Sequence, residues 1–204
     1  MRKRKERSMS KRIEICGGIA AGKTSLAHIL EKEDFLAIYE RFEDNPFLGE
    51  FYLGGKEDNT LETELVFTLL HYNWIKQKRH EKRIVCDYSL FQDYCYAVNN
   101  LKKEETDAFK NLYNYLIKQI LPADLIIYLK CNIDCLLQRI KERNREMEQN
   151  ISREYLQSNV DTIERNLLGN TNVLIIQSDR YNFIENDRDI VIEMIKNHCA
   201  KVKI

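Results

Sequence analysis

Short apolar runs alternate along this chain with longer stretches in which apolar residues recur every three or four positions. Five runs read as strands, at 13–16, 35–39, 83–86, 124–130 and 173–177. They are apolar almost continuously rather than at every second residue, as parallel strands covered on both faces are. Between them the helical period runs through 23–33, 61–82, 104–121, 133–145, 152–168 and 185–200. Two prolines and seven glycines in 204 residues leave room for long helices. Strand–helix alternation predicts an α/β doubly wound domain, a five-stranded parallel sheet with helices on both faces. Ligands of such folds bind beyond the carboxyl ends of the strands.

Composition changes this picture little. Lys and Arg number 32 and Asp and Glu 32, so the formal net charge is zero and gives no electrostatic case for a nucleic-acid partner. The start, Arg2-Lys3-Arg4-Lys5-Glu6-Arg7, is strongly basic. Residues 1–10 are expected to form a disordered, solvated arm, with a nuclear address or an acidic partner as the sharper reading. Residues 11–204 are expected to form a single domain. Six cysteines include no Cys-x-x-Cys pair, and Cys131 and Cys135 lack companion ligands, so no zinc site is expected. No apolar run approaches about 18 residues and no signal peptide precedes the first strand, which predicts no membrane segment and a reduced, cytoplasmic protein.

The first strand runs into Gly17-Gly18-Ile19-Ala20-Ala21-Gly22-Lys23-Thr24, which matches G-x-x-x-x-G-K-[ST] and opens a helix at Ser25. Glycines let backbone N–H groups converge on phosphate oxygens, and the helix N-terminus adds positive potential. Lys23 is expected at the β- and γ-phosphates, and the Thr24 hydroxyl on Mg²⁺. The motif specifies a nucleotide phosphate without separating kinase from ATPase or GTPase. No Asn/Thr-Lys-x-Asp sequence of the guanine-reading kind is present.

Three later segments narrow the choice. Tyr39-Glu40-Arg41-Phe42-Glu43-Asp44-Asn45-Pro46 follows the second strand, and Asp87-Tyr88-Ser89-Leu90-Phe91-Gln92-Asp93 follows the third. Arg139 to Glu148 and then Tyr155-Leu156 come after the fourth. With the phosphate loop, their order and spacing resemble the deoxynucleoside kinase family from about residue 12 to about residue 185. The resemblance implies a P-loop kinase fold with a helical lid at about 139–150. It also implies ATP as phosphate donor with Mg²⁺, a deoxynucleoside acceptor phosphorylated at its 5′-hydroxyl, and a homodimer in which apolar faces at 61–75 and 106–121 pair two copies unless they cover the sheet.

Roles follow from the same resemblance. Glu40 is expected as general base, Asp87 as a second metal ligand, and Arg139, Arg143 and Arg145 as lid arginines meeting the charge of the phosphoryl group in flight. Tyr52 and Glu148 match the pair that grips the sugar 3′-hydroxyl. Asp93 and Glu64 fall at the acceptor, Glu64 at the position that reads the base. Asn182 and Phe183 are candidates for the adenine of ATP. The blander readings are a surface Glu40, a helix-capping Asp87, a solvated basic helix, packing roles for Tyr52 and Phe183, and a Glu64 that faces solvent.

Three positions depart from the family. Ala20 stands where Gly is usual, and little effect is expected. Tyr88 stands where the family places Arg after the acidic residue, removing a cation near the acceptor oxygen. Glu64 stands in place of Gln. An ionised carboxylate offers only acceptors and would favour guanine, whose N1–H and 2-amino group are adjacent donors. The competing readings are a kinase for another small molecule or a nucleoside monophosphate on the same scaffold, and a nucleotide-binding protein with impaired catalysis.

Overall fold

A computed structural model describes residues 11–53, 59–170, 172–183 and 185–202, so the basic arm lies outside the described residues. Its strands are β1 (Lys11–Gly17), β2 (Leu36–Ile38), β3 (Arg83–Cys86), β4 (Leu125–Lys130) and β5 (Val173–Gln177). They form one sheet in the order β2-β3-β1-β4-β5, parallel throughout. All five lie where the apolar runs predict strands. Ile13 and Ile15 of β1 and Leu125 and Ile127 of β4 are wholly buried. Truncating such a side chain, Ile127→Ala for example, costs about 2–5 kcal/mol.

One residue of β1 breaks the apolar run. Glu14, 2% exposed, accepts from Arg12 Nε at 2.9 Å, Ser89 Oγ at 3.0 Å and the Leu90 amide at 3.0 Å. Arg12 in turn donates to the carbonyls of Ile120 (3.2 Å) and Leu121 (2.6 Å). A buried ion pair is tolerated when its remaining donors and acceptors are occupied in this way.

Eight α-helices surround the sheet among the described residues: α1 (Lys23–Glu31), α2 (Leu48–Leu53), α3 (Thr60–Lys78), α4 (Leu90–Asn100), α5 (Lys103–Ile120), α6 (Ile133–Arg143), α7 (Arg153–Leu167) and α8 (Arg188–Val202). Six follow the predicted periodicity. Neither α2 nor α4 was expected. Ser89 starts α4 by accepting from the Phe91 amide (3.2 Å), an N-cap that the sequence carries openly. Its inward residues include Asp93 beside Cys95 and Ala97, which breaks the apolar period where the helix faces the crevice. Apolar residues of α3 and α5 cover the core: Trp74 and Ile75 pack with Ile84 and Tyr88, and Leu61 and Leu65 meet Phe109. No described helix is long and apolar enough to cross a membrane.

From β1 the chain moves outward to β2, and from β3 it crosses to the opposite side, to β4. The switch point therefore lies between the carboxyl ends of β1 and β3, where an open α/β sheet leaves a crevice.

Candidate active site

At Gly17 the chain turns against β4, where a Cβ would come within 2.8 Å of the Leu129 carbonyl oxygen. Only glycine permits that approach. Gln92 of α4 fixes the turn by accepting from the Gly17 amide at 2.9 Å. Gly22 precedes α1 with φ 99, and Ala20 is also left-handed at φ 64. No side chain caps the start of α1, so its first amides are left for a phosphate. Lys23 Nζ folds back onto the carbonyls of Gly17 (3.1 Å) and Gly18 (3.3 Å). Burial lowers its pKa, against the pull of Glu40 and Asp87.

Thr24 and Asp87 meet across the switch point, Oγ1 donating to Oδ2 at 2.7 Å. The other Asp87 oxygen accepts from the Glu40 backbone amide at 2.6 Å. Asp87 thus caps no helix; Ser89 does that. Burial raises the Asp87 pKa, with Thr24 and the Glu40 amide opposing. A hydroxyl beside a carboxylate is the hard oxygen set that suits Mg²⁺, whose remaining ligands come from phosphates and water.

One cavity of about 670 Å³ joins the loop segment from Ile19 to Ser25 to Glu40, Asp87 and the acceptor residues. The Glu40 carboxylate hangs from the end of β2, and its Oε1 lies 3.2 Å from His71 Nε2. The other His71 nitrogen is 2.8 Å from Asp93 Oδ2. Nothing in the sequence singled out His71; a histidine on an apolar helix reads as a core residue. Its pKa rises to about 10, because Asp93 and Glu40 outweigh the burial that disfavours its charge.

Tyr52, Glu64, Tyr96, Glu148 and Tyr155 also line the cavity. The Glu64 position faces the protein interior rather than solvent: it is 4% exposed and accepts from Asn100 Nδ2 at 2.7 Å. Burial, with a smaller contribution from Asp93, raises its pKa to about 8. Burial therefore disfavours the ionised carboxylate expected there, because a low-dielectric wall penalises the charge. Burial raises the Tyr52 pKa, with smaller contributions from Tyr155, Tyr96 and then Glu148.

The lid residues divide. Arg143 and Arg145 both reach Glu148, which is 6% exposed: Arg143 Nε donates to Oε2 at 2.6 Å and Arg145 Nη1 to Oε1 at 3.4 Å. Arg145 also lies over the Phe42 ring at 4.4 Å. Arg139 borders the cavity but spends its donors on backbone, the Ser178 carbonyl at 2.8 Å and the Ala21 carbonyl at 3.4 Å. It braces the phosphate loop against the end of β5. Asn182 and Phe183 do not join the cavity. Phe183, 6% exposed, packs in the main core beneath Gly22, and Asn182 organises its own turn with Glu185 and Asp187.

Comparison with known proteins agrees with this geometry. The deoxynucleoside kinase family profile matches residues 13–200. The deoxyguanosine kinase of Bacillus subtilis (strain 168) is 29% identical over 202 residues, covering 93% of this chain and 96% of that protein. A deoxyadenosine kinase of Lactobacillus acidophilus is 33% identical over 151 residues, 67% of this chain and 68% of that one. A solved deoxyadenosine kinase from M. mycoides with bound dCTP has the same fold, at TM-score 0.75 and 22% identity, over 93% of this chain and 99% of that one. A phosphate loop, a strand-end carboxylate and a lid around one crevice thus have a common explanation: this chain belongs to the deoxynucleoside kinase family and is a phosphotransferase that acts on a deoxynucleoside hydroxyl.

Proposed function

We propose that the chain transfers the γ-phosphoryl group of ATP to the 5′-hydroxyl of a purine deoxynucleoside, with deoxyguanosine preferred. The observation that carries this reading is one cavity lined by both the phosphate loop and the buried Glu64. Lys23 turns from the loop carbonyls to the β- and γ-phosphates, and the amides at the start of α1 hold the phosphate oxygens. Thr24 and Asp87 would hold Mg²⁺, which when bound would neutralise charge on the phosphates. Glu40 accepts the 5′-hydroxyl proton as the hydroxyl oxygen attacks phosphorus and the bond to the leaving ADP oxygen breaks. Arg143 and Arg145 leave Glu148 for the transferring group, and Glu148 with Tyr52 takes the sugar 3′-hydroxyl. Six free cysteines support a reducing, cytosolic setting. Exposed Leu69 and Tyr115 support pairing of two copies.

The test is ATP consumption against a panel of deoxynucleosides, nucleosides and monophosphates, in wild type and Glu64→Gln. Measured at pH 9, above the Glu64 pKa of about 8, deoxyguanosine is expected to have the highest specificity constant in wild type, and the deoxyguanosine/deoxyadenosine ratio is expected to fall at least tenfold in Glu64→Gln. Hydrogen bonds to a charged group are worth about 1.5–3 kcal/mol. An unchanged ratio, or a wild type that prefers deoxyadenosine, refutes the base-reading role.

A further inference from the structure

We propose that His71 is the cation of the acceptor site: a positioning residue that holds the Glu40 carboxylate beside the acceptor hydroxyl and supplies, from α3, the positive charge that Tyr88 omits from the Asp87-Tyr88-Ser89 segment. The proposal rests on Glu40 serving as the base of the proposed reaction.

Both ring nitrogens of His71 face a carboxylate oxygen, Nδ1 at 2.8 Å from Asp93 and Nε2 at 3.2 Å from Glu40. A neutral imidazole has one N–H, so it would satisfy Asp93 and leave an unprotonated nitrogen 3.2 Å from the Glu40 carboxylate, or the reverse. Only the imidazolium gives both an attractive partner. The side chain is 2% exposed, so water does not relieve the repulsion that a neutral ring would create. Tyr88 stacks on this ring with centroids 4.0 Å apart and planes 12° from parallel, and Trp74 borders it at 5.6 Å. Aromatic faces stabilise a cation. At position 88 the chain therefore provides a platform, and the charge comes from the neighbouring helix.

The two contacts differ in kind. Nδ1 makes a short hydrogen bond to Asp93, which is 7% exposed and fixed on α4. Nε2 makes an ion contact to Glu40 without hydrogen-bond alignment. Asp93 thus anchors the ring, while Glu40, its side chain 32% exposed, is attracted yet free to turn toward a bound hydroxyl. The shift of the His71 pKa to about 10 agrees with this assignment.

Two measurements test it. In ¹⁵N-histidine-labelled wild type, His71 is expected to show two protonated nitrogens at pH 8, with its signal identified by its absence from His71→Gln. A neutral tautomer at pH 8 overturns the proposal whether or not any variant folds. In kinetics, His71→Gln is expected to lower kcat on the order of 100-fold, the scale of a misplaced reacting group, while the KM for nucleoside moves less than threefold. Deoxyguanosine and deoxyadenosine should lose by the same factor, and Tyr88→Arg added to His71→Gln should recover at least tenfold. A changed base ratio with kcat retained would make the His71–Asp93 pair a base reader and overturn the positioning role. Should no deoxynucleoside prove to be a substrate, the nitrogen spectra still decide the charge on His71, so failure of the reaction reading and failure of this one are separable.

Discussion

Ala20 sits at φ 64, a backbone conformation that glycine adopts freely and other residues adopt under strain. Holding one L-residue there costs about 1–2 kcal/mol. Ala20→Gly is expected to stabilise the fold by about 1 kcal/mol, a rise of about 2–4 °C in Tm for a chain of this size. A melting curve that stays put or falls would show that the loop carries no such strain. Glu64 gives a second expectation. Its pKa of about 8 is raised by burial, so its contribution to stability is present below the ordinary glutamate value and is lost as pH climbs through 8. The neutral carboxyl carries one donor and one acceptor, as Gln does, and suits adenine, whereas the ionised form suits guanine. The deoxyguanosine/deoxyadenosine ratio of specificity constants should therefore rise between about pH 6 and pH 9 in wild type and stay flat in Glu64→Gln. At this scale the phosphate loop was legible because spacing alone specifies it. His71 was not, because its partners Glu40 and Asp93 come from other elements and meet it only after folding.

The lid is an element whose charge is already spoken for. Glu148 holds Arg143 and Arg145, and Arg139 is committed to the carbonyls of Ala21 in the loop and Ser178 after β5. Arg143→Ala is expected to lower kcat by more than it raises the apparent ATP constant, since the charge it meets grows during transfer. Lys141, exposed on the same helix, should change neither when replaced by Ala. Equal effects of the two substitutions would mean that the lid is merely a solvated basic helix. Elements were legible in proportion to how fully they face apolar neighbours. All five strands and six helices have such faces. Helix α4 was missed because it turns Asp93 into the cavity and Gln92 toward the loop, so its polar residues interrupt the period.

Across the whole molecule, the Arg12–Glu14 pair joins β1 to the start of α4 and to the end of α5. Glu14→Ala leaves a buried guanidinium without its counter-charge and is expected to cost about 3–5 kcal/mol in denaturant unfolding. Arg12→Leu combined with Glu14→Leu should cost less than Glu14→Ala alone. A double variant that loses more would make the pair a net source of stability. No sequence pattern revealed this network, since a charged pair at the start of a strand reads as solvent-exposed until its partners are known.

The sheet order also governs how the protein is born on the ribosome. Strand β1 precedes both its neighbours by a long stretch of chain: its Arg12 amide waits for Asp124, 112 residues later, and its Glu14 for Ser89, 75 residues later. The pairs β2–β3 and β4–β5 each join strands consecutive in the chain, and β1 is the wedge between them. Closing such distant contacts is slow. The phosphate loop is translated before either strand that flanks β1, so the close approach of Gly17 to Leu129 is made only after β4 has been synthesised.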